Sequence, residues 1–98
     1  MTNEQFLQYM QKIFNELLEL QKLKANEYTV RNFDENFEVA SKLLNIDKET
    51  VALSYLTKHI VSIYDCILHK RNYDKLHEKI TDAILYLIII DALTKQKQ

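Results

Sequence analysis

A chain of 98 residues with no glycine and no proline is badly equipped for sandwiches, barrels and doubly wound sheets, which need those residues at turns and phosphate loops. Helices need neither. Thirteen basic residues face fourteen acidic ones, for a net charge of −1, so nothing draws the whole chain toward nucleic acid or anionic lipid.

The length predicts one domain over residues 1–98. A monomer of this size buries only about two-thirds of the surface its unfolded chain exposes, and shared apolar surface would add to a thin margin. The hydrophobic share of 47% and the charged share of 28% suit a folded protein. The lone Cys66 excludes an internal disulfide and a multi-cysteine zinc site. The opening MTNEQFLQYM has no basic or apolar signal region. The longest apolar run, Ala83 to Ile90, is well short of the roughly 20 residues that span a bilayer. A cytoplasmic protein without a membrane segment is the expectation.

Thr2 and Gln5 have the spacing of a capping box, S/T-x-x-E/Q. Phe6, Met10, Ile13, Leu17 and Leu20 then recur at helical spacing, widened by Leu7, Phe14 and Leu18. The pattern predicts an amphipathic helix over about 3–24. In a chain without glycine, asparagine must supply the left-handed residue that ends helices, and Asn26 stands at the right place. Residues 25–32 read as a connector. Phe33, Phe37, Ala40 and Leu44 predict a short helix over 33–44, stopped near Asn45.

Asp47 is placed to cap a third helix running to about Lys70, with Asn72 as its stop and Ala52, Leu56, Ile60, Ile63 and Ile67 as its core stripe. The last helix runs from about Tyr73 to Lys95 and carries two stripes. Leu76, Ile80, Ala83, Leu87 and Ile90 form one; Leu85, Ile89 and Leu93 lie roughly opposite. A helix apolar nearly all round is buried on both sides. The fold class predicted is all-α: a bundle of three long helices and one short one, dimerised through the long helices. The polar tail Thr94–Gln98 is expected to fray.

Several residues invite a chemical reading. Asp82 and Asp91 interrupt the apolar last helix, and a buried unpaired carboxylate costs several kcal/mol. They read as salt-bridged or edge residues, or, for Asp82 with Glu78 one turn back, as oxygen donors to Mg²⁺. Glu16 and Glu19 form ExxE on the first helix and read as a solvated face or a second carboxylate pair. His59 borders the third helix's stripe while Lys58 faces away, which suits a packing histidine. His69 and His77 lack zinc-site spacing. Cys66 reads as a small buried hydrophobe. His69, Lys70, Arg71, Lys75 and Lys79 surround Tyr73; they suit a solvated inter-helix turn or a phosphate contact.

The stretch from Lys24 to Leu93 carries Asn26-Glu27-Tyr28, Asn36-Phe37, Ala40 with Leu43-Leu44-Asn45-Ile46, Tyr55-Leu56-Thr57-Lys58-His59-Ile60, and Ile80-Thr81-Asp82-Ala83-Ile84-Leu85-Tyr86-Leu87. In these segments it resembles a family of small phage and bacterial proteins. They are described as nucleotide-modification-associated and are related to MazG-type all-α NTP pyrophosphohydrolases. The resemblance implies a bundle, dimeric or higher, that binds nucleoside triphosphates and cleaves between the α- and β-phosphates with Mg²⁺ activating a water. It places Mg²⁺ on Glu16 and Glu19 and on Asp82, with Glu78 as an approximate substitute for the glutamate expected where Lys79 stands. Lys58 and Lys79 would contact the nucleotide. The family often has glycine after the tyrosine that Tyr28 matches, and this chain has Thr29.

Two functions follow as expectations. One is a phage-type Mg²⁺-dependent nucleotide pyrophosphohydrolase or nucleotide binder. The other is a non-catalytic interaction protein that docks on a host or defence protein, suggested by Lys79 in place of an acid and by the surplus of apolar surface. A homo-oligomer is expected in either case.

Overall fold

In a computed structural model, residues 1–28 and 31–97 are described, the side chain of Tyr28 excepted. Four α-helices account for most of them: α1 (Asn3–Tyr28), α2 (Glu35–Leu44), α3 (Lys48–His69) and α4 (Leu76–Gln96), with a 3₁₀ turn over Tyr73–Lys75. No strand occurs among the described residues, so the all-α reading is correct. Thr29 and Val30 of the predicted connector and Gln98 of the tail lie outside the described residues. The chain divides into two compact units, 1–31 and 32–98.

The first unit is α1. Its start is the capping box: the Thr2 amide donates to Gln5 Oε1 at 2.8 Å, and the Gln5 amide donates to Thr2 Oγ1 at 3.1 Å. Two of the orphan amides that begin every helix are thereby satisfied. The helix passes through Asn26 to Tyr28 rather than stopping at 24. Ala25 and Glu27 are good helix formers and outweigh the modest propensity cost of one asparagine.

The second unit packs α3 against both α2 and α4. Lys97 Nζ lies 2.6 Å from Glu49, and Lys79 Nζ donates to Ser62 Oγ at 2.6 Å. The end of α4 therefore lies beside the start of α3, and the two form an antiparallel hairpin. The core is Phe37, Val51, Ala52 and Leu93, with Ala40, Tyr86, Ile89 and Ile90 packed around it. Phe37 docks α2 edge-on to Tyr86, with ring centroids 6.3 Å apart.

The helix ends show how a chain without glycine turns. Asn45 takes the left-handed conformation (φ 56°, ψ 46°) after α2, as predicted. The amides of both Asn45 and Ile46 donate to the Ser41 carbonyl, and Ser41 Oγ donates to the Ile46 carbonyl. The third helix ends at His69, within a residue of the expected end. Lys70 (φ 51°) takes the left-handed step, and Asn72 (φ 54°) takes a second one before the 3₁₀ turn. Asp65 and Arg71 clasp this turn through two hydrogen bonds of 2.7 and 3.0 Å. Phe33 lies in the turn before α2, which starts at Glu35. Asp47 occupies the N-cap position of α3 but makes no side-chain cap bond; its carboxylate lies 3.6 Å from Lys97 Nζ.

The predicted core stripes need correction. On α3 the buried residues are Val51, Ala52, Leu56 and Cys66, whereas Ile60 and Ile67 are exposed. On α4, Thr81, Ala83, Leu85 and Leu93 are buried, and Leu87 faces solvent. Both helices are apolar on more than one side, so periodicity identifies the helix but not which side faces the core.

By length and composition α3 is apolar enough to cross a membrane. Core helices of soluble proteins pass the same test, and 22% of the apolar window of α3 is buried against its neighbours.

Candidate functional site

The predicted site residues fall in both units. Glu16 and Glu19 share a face of α1 with Lys12, Asn15, Leu20 and Leu23. Glu16 is half-buried, while Glu19 is exposed and lies 3.4 Å from Lys22. Asp82 is half-buried and Glu78 exposed, both on α4. The Glu78 carbonyl accepts a 2.9 Å hydrogen bond from the Thr81 hydroxyl, a local back-bond.

Among the described residues, no group of three or more His, Cys, Asp or Glu side chains stands close enough to hold a metal ion. Among the described residues, neither carboxylate pair has a third His, Cys, Asp or Glu beside it. A cation such as Mg²⁺ can be held by few protein carboxylates when waters and substrate phosphates fill the remaining positions.

Lys79 stands where the resemblance expects an acid. It is half-buried and its ammonium donates to Ser62 on α3, so it ties the hairpin together. Lys58 is exposed. Of the basic cluster, Arg71 forms the fork with Asp65, and His69 lies 3.9 Å from the same carboxylate. The hydrogen bond from Arg71 holds the Asp65 carboxyl below its ordinary value, with the charges of Arg71, His69 and Lys79 adding to it and partial desolvation opposing it. The Arg71 pKa is raised in return, chiefly by that hydrogen bond. These groups build a pinned turn.

The segments that carry the resemblance meet in an aromatic cluster. Tyr55 lies 5.9 Å from Phe37 and 6.2 Å from Tyr86. His59 lies over Tyr86 at 5.2 Å with the rings 30° apart. The histidine packs, as the pattern on α3 suggested. Cys66 is buried, also as read from the sequence, and its thiol lies 3.9 Å from the Asn72 carbonyl.

Other ion pairs escaped the sequence. Asp34, buried before α2, accepts a 3.1 Å hydrogen bond from Lys48 at the start of α3. Glu49 holds Lys97, whose pKa is raised mainly by that hydrogen bond. Both pairs join residues too far apart in the chain for any local motif to announce them.

The largest unexplained feature is apolar. On α1, Phe6, Leu7, Met10, Phe14 and Leu18 are between 40% and 65% exposed. On α3, Leu53, Ile60, Val61, Tyr64, Ile67 and Leu68 are between 49% and 65% exposed. Scattered exposed hydrophobics are ordinary, but runs along one helix face mark interaction surfaces. Comparison with family profiles, with curated proteins and with solved structures finds no match for this chain.

Proposed function

We propose that this chain is a non-catalytic interaction protein of the cytoplasm that works by laying apolar helix faces against another protein chain. The observation that carries the reading is the stripe Phe6, Leu7, Met10, Phe14 and Leu18 on α1, left exposed at spacings of three, four and seven residues. Amphipathic helices are recognised in hydrophobic grooves through such i, i+3, i+4 and i+7 anchors. A host or defence protein is the partner class that the second sequence expectation supplies. The test compares the natural chain with Phe6→Glu/Phe14→Glu in cross-linking within cells. Both chains should give the same helical circular dichroism, and the partner held by the natural chain should be lost from the variant. Equal retention by a folded variant would overturn the reading.

A second reading keeps the nucleotide function, as a Mg²⁺-dependent binder or pyrophosphohydrolase. Its support is the convergence of Phe37, Tyr55, His59 and Tyr86 from three segments of the resemblance, since aromatic faces stack on bases. In that reading Glu78 and Asp82 offer the second unit's carboxylates to Mg²⁺, Glu16 and Glu19 are a separate carboxylate pair on α1, and Lys58 and Lys79 meet phosphate. A thermal-shift screen of NTPs and dNTPs with and without Mg²⁺ decides it. Ligand at a hundred times Kd adds about 2.7 kcal/mol; no shift with any nucleotide would remove this reading.

A further inference from the structure

We draw no further inference here: the strongest candidate, the exposed apolar stripe of α3 from Leu53 to Leu68, has ends already neutralised by ion pairs within the chain, and nothing in the structure shows what covers it.

Discussion

Lys70 pays for the missing glycine. A non-glycine residue in the left-handed region costs roughly 1–2 kcal/mol, and asparagine, which tolerates it best, occupies the other two such positions, Asn45 and Asn72. Lys70→Gly should therefore stabilise the second unit by about 0.5–1 kcal/mol, seen as a higher melting temperature. Asp65 makes the complementary prediction. Its folded pKa lies below the ordinary 3.8 because Arg71 hydrogen-bonds to the carboxylate. The stability it contributes is present above the unfolded value and is lost as pH falls through the folded one. Urea midpoints of the natural chain and of Asp65→Asn should differ at pH 7 and converge below the carboxylate range. At this scale the sequence was partly readable. The capping box, Asn45, His59 and Cys66 are set by local spacing, whereas Asp34–Lys48 and Asp65–Arg71 depend on how the chain returns on itself.

Whole elements were legible in existence and less so in orientation. The 3.6-residue repeat marks every helix, because nothing in this composition competes with helix. It does not say which side of α3 or α4 is inside. Leu87 continues a stripe that begins at Leu76 and Ile80, yet it is exposed, while Thr81 is buried with its hydroxyl satisfied by the Glu78 carbonyl. The candidate carboxylates are hardest to read, since a repeat can put Glu16 and Glu19 on one face but cannot supply a third ligand. The short α2 depends on one anchor. Phe37→Ala removes the ring that touches Tyr55 and Tyr86 and should cost about 3–5 kcal/mol, with loss of the tyrosine near-ultraviolet signal. Val39→Ala, on the exposed side of the same helix, should stay within about 0.5 kcal/mol.

The second unit is held together by neighbours. α2 packs on α3 and α3 on α4, and the α3–α4 turn spans only a few residues. The chain also contains no proline. The first feature keeps most native contacts close in sequence, a topology that folds in microseconds to milliseconds. The second removes prolyl isomerisation, whose uncatalysed half-times run from tens to hundreds of seconds. After rapid dilution from denaturant, the helical signal should return in a single fast phase with no amplitude in seconds or minutes, which stopped-flow circular dichroism can check. A prolyl isomerase should leave the refolding trace unchanged, so newly made chains would present their apolar faces almost as soon as synthesis allows.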